Sequence, residues 1–103
     1  RTEKNVRDSA ATAIFSVGEL SGGSLLTWQY TLKHGRSCLL LDSQVLPVKG
    51  AAEKLGIFVD EVSSAWLQFD LNIAGPRASH APSIYKYTYA VVESVLKQRR
   101  HGF

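Results

Sequence analysis

Residues 10–24 read AATAIFSVGELSGGS, and this stretch decides the fold. Its first part, residues 10–17, is a short apolar run rich in β-forming residues. Gly18 ends the run, as is typical of a buried strand. Residues 18–24 form a turn rich in glycine and serine, and residues 25–34 then contain neither glycine nor proline. The stretch therefore predicts a strand, a glycine turn and the start of a helix, in that order.

An amphipathic helix is predicted over residues 25–34. Leu25, Trp28 and Leu32 follow one another at intervals of three and four residues, which places them on one helical face. Gly35 follows as a C-terminal stop signal. We expect these three apolar side chains to pack against the sheet.

The chain then repeats the alternation of strands and helices. Residues 37–42 (SCLLLD) are too short for a helix and predict a strand buried on both faces, as in a parallel sheet covered by helices. Proline and glycine interrupt residues 43–56, where only a short helix fits. Residues 57–69 predict a second amphipathic helix, and residues 71–74 (LNIA) predict a third strand.

A final helix is predicted from Pro82, a residue suited to the first helical turn, to about Arg100. Its expected inward-facing residues are Ile84, Tyr87, Val91 and Val95, with Tyr85 and Val92 as further candidates. The aromatic residues at helical spacing are interpreted as core residues and not as a ligand-stacking surface; they are Trp28, Trp66, Tyr85 and Tyr87.

This order of elements predicts an α/β fold, specifically a three-layer, Rossmann-like domain with a mainly parallel sheet. We expect residues 1–103 to form a single domain of this kind. Three strands are few for such a sheet, and the sequence contains no methionine. We therefore interpret it as the C-terminal part of a domain whose N-terminal part supplies further strands.

Composition narrows the classes of partner. A hydrophobic content of 45% and a charged content of 20% are those of a globular protein. The net charge of +3 owes much to a basic terminal run, which suits the negative end of a helix dipole, and no aromatic residues are interleaved there to stack on bases. We expect neither a nucleic-acid nor a membrane partner. The single cysteine, Cys38, excludes an internal disulfide and fits the cytoplasm.

The first candidate binding segment is the glycine turn. In open parallel sheets, ligands bind beyond the carboxyl ends of the strands, where this turn is expected to lie. The amides of Gly22, Gly23 and Ser24, at the positive end of the following helix, are suited to hold an anion, and Thr27 offers a further hydroxyl. The alternative is that a serine simply caps the helix and the glycines only form the turn.

The second candidate segment follows the third predicted strand. Arg77 carries a planar, permanently charged fork that suits phosphate or carboxylate, and Ser79 and Gly75 lie beside it. Asn72, inside an apolar strand, is expected to bond to backbone groups or to the ligand. The alternative here is a surface arginine next to a helix cap.

No set of residues with recognisable catalytic roles accompanies these segments. His34 and His80 do not have metal-ligand spacing, and there is no cluster of cysteine and histidine. Asp42, at the end of a predicted strand, is the best-placed carboxylate near the site. The absence of a convincing acid/base pair favours a binding protein over an enzyme.

Three stretches together resemble a known family. They are residues 1–9 (RTEKNVRDS), residues 18–24 (GELSGGS), and residues 71–79 (LNIAGPRAS) with residues 81–85 (APSIY). They are similar to bacterial proteins called putative molybdenum carriers. Those proteins are grouped with the lysine-decarboxylase-like, nucleotide-binding Rossmann folds, as a circularly permuted branch. Unlike this chain, members of the family begin with a further strand and a glycine-rich loop.

The resemblance implies a cytoplasmic protein that carries a small molecule. Its ligand would be molybdopterin in the molybdenum cofactor, molybdate or a nucleotide, gripped through phosphate or oxyanion groups. No catalytic residue and no metal ligand is implied. The residues that match the family motifs, and are expected to line the ligand site, are Asn5, Asp8, Ser9, Gly22, Gly23, Ser24, Asn72, Gly75, Arg77 and Ser79.

Two other functions stay open. One is an enzyme that cleaves a nucleoside monophosphate at its glycosidic bond, for which Glu19 and Glu93 are not clear matches. The other is an oligomerisation module, because the last helix carries Tyr85, Tyr87 and Tyr89 in addition to its apolar stripe. A homo-oligomer is expected on this ground.

Overall fold

A three-stranded parallel sheet with helices on both faces forms the computed structural model, which describes residues 2–65, 70–76 and 82–101. The elements in chain order are α1 (Thr2–Asp8), β1 (Ala11–Ser16), α2 (Gly22–Lys33), β2 (Ser37–Asp42), α3 (Val48–Ala65), β3 (Leu71–Ala74) and α4 (Pro82–His101). The predicted Rossmann-like α/β class is confirmed, as are the three strands and the last helix.

β1 is the central strand, because the strand order is β2-β1-β3 and both pairings are parallel. Its six residues are all buried, as the apolar run predicted. Ala11 is in register with Ser37 of β2 and with Leu71 of β3. The three carboxyl ends therefore lie at one edge of the sheet, and the connections after β1 and β3 start there.

The main core lies between the sheet and the pair α3 and α4. Phe15 of β1 is fully buried, and its ring meets Tyr87 of α4 edge-on at a centroid distance of 6.2 Å. The Tyr87 hydroxyl donates to the backbone oxygen of Leu46 at 2.7 Å, so its polar end is satisfied. The buried apolar cluster consists of Ala13, Phe15, Leu41, Ala51, Ala52, Leu55, Ile84, Val91 and Val95.

The predicted apolar face of α2 was wrong. The helix begins at Gly22, and its buried residues are Ser24, Thr27 and Thr31, whereas Leu32 is 64% exposed. Ser24, Thr27 and Thr31 have the same three-and-four spacing as the predicted face. Each of them precedes one residue of that face, Leu25, Trp28 or Leu32, by one position. The threonine hydroxyls donate to backbone oxygens within the helix, so Thr27 and Thr31 can be buried with their donors paired.

The prediction of only a short helix within residues 43–56 was also wrong, because α3 starts at Val48 and contains both Gly50 and Gly56. Pro47 immediately precedes the helix, where a missing N–H costs little. The buried side chains of α3 pack into the main core, which outweighs the low helix propensity of glycine. The predicted continuation to residue 69, including Trp66, lies outside the described residues.

β2 is an edge strand. The prediction that it is buried on both faces was wrong. Leu41 is fully buried, but the neighbouring Leu40 is 44% exposed. On α4, Ile84, Val91 and Val95 are buried as expected, whereas Tyr85 is 69% exposed, so its assignment to the core was wrong.

The basic end of α4 also makes a contact that the sequence did not indicate. A terminal nitrogen of Arg99 donates to the backbone oxygen of Gly56 at 3.0 Å and to Asp60 Oδ1 at 2.6 Å, which connects α4 to α3.

None of the helices in the described ranges is long and apolar enough to cross a bilayer.

Candidate functional site

A cavity of about 800 Å³ opens at the carboxyl edge of the sheet. Its walls come from the first turns of α1 and α2, the loop after β1, and the end of β3. The described residues that line it are Thr2, Asn5, Ser16, Val17, Glu19, Leu20, Ser21, Gly22, Gly23, Ser24, Thr27, Asn72, Ile73, Ala74, Gly75 and Pro76. This is the position at which open parallel sheets bind ligands.

The N-terminus of α2 faces the cavity without a side-chain cap. Ser21 is at the N-cap position in an extended conformation (φ −152°, ψ 164°), and its side chain makes no capping hydrogen bond. Its carbonyl accepts from the N–H groups of Ser24 at 3.1 Å and Leu25 at 3.3 Å. Within the described part of the chain, the N–H groups of Gly22 and Gly23 have no acceptor. Free amides at a helix N-terminus are suited to an anion.

Two serines line the same cavity. Ser16, at the end of β1, is 5% exposed, and Ser24, in the first turn of α2, is 8% exposed. Neither hydroxyl has a hydrogen-bond partner among the residues that the structure describes. Both residues line the cavity, so their hydroxyls are available to a ligand. Thr27, by contrast, donates to the backbone oxygen of Gly23 at 2.8 Å and stiffens the first turn.

The loop after β1 is held in place by Asp42. Gly18 has a positive φ of 79°, which glycine adopts without strain. Asp42 Oδ1 accepts from the N–H groups of Gly18 and Gln44, each at 2.9 Å. The prediction of Asp42 as a carboxylate near the ligand is therefore corrected: it does not line the cavity, and its oxygen holds the loop that does.

The end of β3 approaches β1 closely. A Cβ atom on Gly75 would lie 3.2 Å from the backbone oxygen of Phe15, so glycine is the residue that permits this approach. Asn72 Nδ2 donates to Thr12 Oγ1 at 3.4 Å, and its amide oxygen has no partner within the described ranges. Arg77, Ser79 and His80 follow this segment and lie outside the described residues.

α1 brings Thr2 and Asn5 to the cavity, and contacts at its first turn hold it there. Glu3 Oε2 accepts from Lys33 Nζ at 2.7 Å and lies 2.8 Å from His34 Nε2, both at the end of α2. These contacts, above all the hydrogen bond from Lys33, lower the pKa of the Glu3 carboxyl below its usual value. The carboxylate therefore remains ionised at neutral pH.

The other end of α1 is anchored to the start of β2. Two guanidinium nitrogens of Arg36 donate to the backbone oxygen of Arg7, at 3.1 and 2.7 Å. This contact satisfies one of the carbonyls that a helix C-terminus leaves without an intrahelical donor. α1 is thus fixed at both ends relative to the cavity wall.

Six of the ten predicted site residues lie around the cavity: Asn5, Gly22, Gly23, Ser24, Asn72 and Gly75. Asp8 and Ser9 do not line it. The exposed Asp8 carboxylate is 3.0 Å from Arg7 Nε, and that hydrogen bond lowers its pKa. Arg77 and Ser79 are among the residues that the structure does not describe.

Thr2 and Ser16 line the cavity but were not among the site residues predicted from the sequence. The signal for Ser16 was available, because a polar residue that ends a central parallel strand lies at the ligand-binding edge. Thr2 carried no such signal, since only the folded chain brings α1 beside the glycine turn.

The cavity has little charge of its own. Glu19 is the one ionisable side chain among the described lining residues, and it is exposed. Those residues therefore offer three things to an anion: amide donors, hydroxyl donors and the positive end of the α2 dipole. The described ranges contain no group of three or more His, Cys, Asp or Glu residues that could hold a metal ion. Cys38 is away from the cavity, and burial raises the pKa of its thiol.

Comparison with known proteins identifies the family of this chain. The sequence profile of the circularly permutated YpsA SLOG family matches residues 1–96. The chain belongs to this family. The SLOG assignment agrees with the resemblance of the three quoted motifs and with the Rossmann-like sheet.

A solved structure supports the same assignment. This SLOG-family chain is 38% identical to a protein from Syntrophus aciditrophicus SB named "Putative molybdenum carrier protein", with a TM-score of 0.78. The match covers 93% of this chain and 58% of that protein, so this chain spans less than two thirds of its relative's length. A comparison with curated proteins found no match.

Proposed function

We propose that this protein is a small-molecule carrier that binds a phosphorylated or oxyanionic ligand in the cavity at the carboxyl edge of its sheet. The observation that carries the proposal is the uncapped N-terminus of α2, with Ser24 beside it in the wall of the cavity. Free donors in a cavity of this size are suited to an anion that replaces their hydrogen bonds to water. The name of the related Syntrophus protein supports a molybdenum-containing ligand.

In this proposal the anionic group binds at the first turn of α2. The N–H groups of Gly22 and Gly23 and the hydroxyls of Ser16 and Ser24 donate to its oxygens. Arg77 follows the lining residue Pro76 by one position in the sequence, and we propose that its guanidinium neutralises the anion. Arg77 thereby supplies the positive charge that the described lining residues lack.

The cavity volume favours a ligand larger than molybdate. Pockets for drug-sized molecules are roughly 300–1,000 Å³, and the cavity of about 800 Å³ lies within this range. A tetrahedral oxyanion would fill only the α2 end. Asn72 and Asn5 also line the cavity, and amide groups are suited to the ring nitrogens of a pterin or a purine. We therefore rank molybdopterin and nucleotides above free molybdate.

One observation keeps an enzyme as a second candidate. Glu19 lines the cavity, and cleavage of a nucleoside monophosphate at its glycosidic bond requires a carboxylate near the sugar. If this reaction occurs, the wild-type protein releases free base from a nucleoside monophosphate and Glu19→Gln does not. A Glu19→Gln variant that binds as tightly as the wild type, with no release from either protein, supports the carrier.

Native mass spectrometry of the purified protein, before and after denaturation, tests the proposal directly. We expect a released mass that matches a pterin phosphate or a nucleotide. Titration calorimetry with molybdate, a pterin phosphate and nucleoside monophosphates then measures affinity. A protein that carries no ligand and binds none of this panel contradicts the proposal.

Ser24→Ala, with Ser37→Ala as its matched control, assigns the site. Ser37 is an exposed serine at the amino end of β2, on the opposite edge of the sheet. A hydrogen bond to a charged group contributes about 1.5–3 kcal/mol, so Ser24→Ala is expected to weaken binding by roughly 10- to 100-fold. Ser37→Ala is expected to bind normally. Equal affinities in the two variants would contradict binding of the anion at the N-terminus of α2.

The half-buried thiol of Cys38 supports the cytoplasm as the compartment of this protein.

A further inference from the structure

Thr12 is a polar residue in the middle of the sheet. It belongs to the central strand β1, and it is fully buried. A hydroxyl is costly to bury unless it is hydrogen-bonded. In the described part of the chain its hydrogen-bond partner is Asn72 of β3, whose Nδ2 donates to Thr12 Oγ1 at 3.4 Å. The two residues therefore form a polar pair between neighbouring strands.

The register of the sheet brings this pair to the face that α2 covers. Thr12 and Asn72 are Cα partners in the parallel pairing of β1 with β3, so their side chains leave the sheet on the same side. The partner of Thr12 on β2 is Cys38, and its thiol interacts with the Thr31 hydroxyl of α2. The pair therefore lies on the side of the sheet from which α2 borders the ligand cavity.

The two members of the pair differ in their access to the cavity, because Asn72 lines it and Thr12 does not. The bond to Thr12 is the one hydrogen bond that the Asn72 side chain makes among the described residues. An asparagine amide turns about a broad torsion unless its neighbours fix it. The bond at the nitrogen therefore favours one orientation of the amide, and it leaves the oxygen to accept from a donor of the ligand, such as a ring N–H.

We propose that Thr12 is a positioning residue of the ligand site, which acts from outside the cavity wall by orienting the Asn72 amide. This inference rests on the proposed function, because it concerns the same cavity. An amide that is already oriented loses less conformational freedom when the ligand binds, and the affinity is higher for that reason. Thr12 itself does not touch the ligand.

Titration calorimetry with guanosine monophosphate and a pterin phosphate tests the role of the hydroxyl. Thr12→Val removes it and keeps a β-branched side chain that suits a strand. Binding is expected to weaken by roughly three- to tenfold, because a bond of 3.4 Å is longer than most N–H···O bonds and its loss has a moderate effect. Thr12→Ser, which keeps the hydroxyl, is expected to remain within about twofold of the wild type.

Thr31→Val is the matched control. Thr31 is also a buried threonine, but its hydroxyl donates to the backbone oxygen of Trp28 within α2, and it does not line the cavity. This variant is expected to bind both compounds like the wild type. Urea denaturation of each variant establishes that the affinities compare folded proteins.

A double-mutant cycle separates positioning from a general change in the shape of the cavity. Asn72→Ala is expected to weaken binding by roughly tenfold, since it removes the group that contacts the ligand. If Thr12 acts through Asn72, Thr12→Val has no further effect once the amide is gone, and the double variant binds like Asn72→Ala alone. A change in cavity shape would weaken binding by the same factor in both backgrounds, and that result overturns the proposal.

Nuclear magnetic resonance of the wild type without ligand gives a second measurement that needs no stable Thr12 variant. The side-chain amide of Asn72, assigned by its absence in Asn72→Ala, is expected to be rigid on the picosecond-to-nanosecond timescale. A freely turning amide in the wild type contradicts the role of Thr12. So does a protein that binds neither guanosine monophosphate nor the pterin phosphate. If it binds no compound of the panel at all, the proposed function fails as well.

Discussion

Glycine has different roles at the two segments that form the cavity. At Gly75 the constraint is steric, because an added Cβ would lie only 3.2 Å from the backbone oxygen of Phe15. At Gly23 there is no atom within 4 Å of an added Cβ, and the residue lies in the first turn of α2. The two glycines look alike in the sequence, but only one is required for packing.

Replacement of each glycine by alanine separates these roles. Gly75→Ala pushes β3 away from β1 and is expected to lower the free energy of unfolding by about 1–3 kcal/mol. Gly23→Ala adds a good helix former in open space and is expected to change stability by less than about 1 kcal/mol, in the stabilising direction. Urea denaturation measures both values. Equal losses would show that the close approach at Gly75 has no energetic consequence.

At the scale of the element, β2 shows how position in a sheet decides burial. Leu40 and Leu41 are neighbours in a run of three leucines, yet they face opposite sides of the sheet. One side is covered by α3 and α4, and the other is only partly covered, because β2 is at the edge. The apolar run alone could not distinguish an edge strand from a central one.

Truncation of the two leucines measures this difference. Leu41→Ala leaves a cavity in the main core and is expected to lower the free energy of unfolding by about 2–5 kcal/mol. Leu40→Ala removes a half-exposed side chain, and we expect a loss below about 1 kcal/mol. Chemical denaturation of both variants gives the comparison. Similar losses would mean that β2 is covered on both faces.

α1 depends on an ion pair that responds to pH. The lowered pKa of Glu3 means that its contacts stabilise the attachment of α1 above the usual glutamate pKa of 4.5 and are lost as the pH falls through the lower folded-state value. Glu3→Gln is expected to speed amide hydrogen exchange in α1 at pH 7, compared with the wild type at the same pH. The difference is expected to vanish well below pH 4.5. Lys4→Gln, on the same helix, is the control and is expected to exchange like the wild type.

At the scale of the whole molecule, the ligand cavity is a product of three separated segments. α1, the β1–α2 loop and the end of β3 each supply part of the wall, so a bound ligand connects parts of the chain that are far apart in sequence. Binding to the folded state alone stabilises it by mass action. At a free concentration 100 times the Kd, the ligand is expected to raise the free energy of unfolding by about 2.7 kcal/mol.

Denaturation with and without the bound compound of the panel checks this value. Ser24→Ala is expected to show a smaller gain at the same concentration, about 0.4–1.4 kcal/mol for binding that is 10- to 100-fold weaker. Ser37→Ala, at the opposite edge of the sheet, is the control and is expected to show the full gain. Stabilisation that is equal in all three proteins would place the ligand elsewhere.

Local patterns were sufficient to predict most of the elements. The apolar run before Gly18, the LNIA segment and the proline at the start of α4 each act through neighbouring residues, and the structure has the expected element at each. The same holds for five of the predicted lining residues, Gly22, Gly23, Ser24, Asn72 and Gly75, because segments that follow or end parallel strands lie at one edge of the sheet. Asn5 was expected only from the family motif.

Other features depended on contacts between distant parts of the chain. Whether α2 buries its leucines or its threonines, whether β2 is central or at the edge, and whether Tyr85 is inside or outside are decided by which surfaces are already covered. The same is true of Thr2 and of the loop held by Asp42. By itself, the sequence determined the order of the elements and the position of the glycine turns, because hydrophobic runs, turns and helix stops act locally. Only the tertiary structure decided which faces are buried and which side chains meet at the cavity, because burial depends on all the elements together.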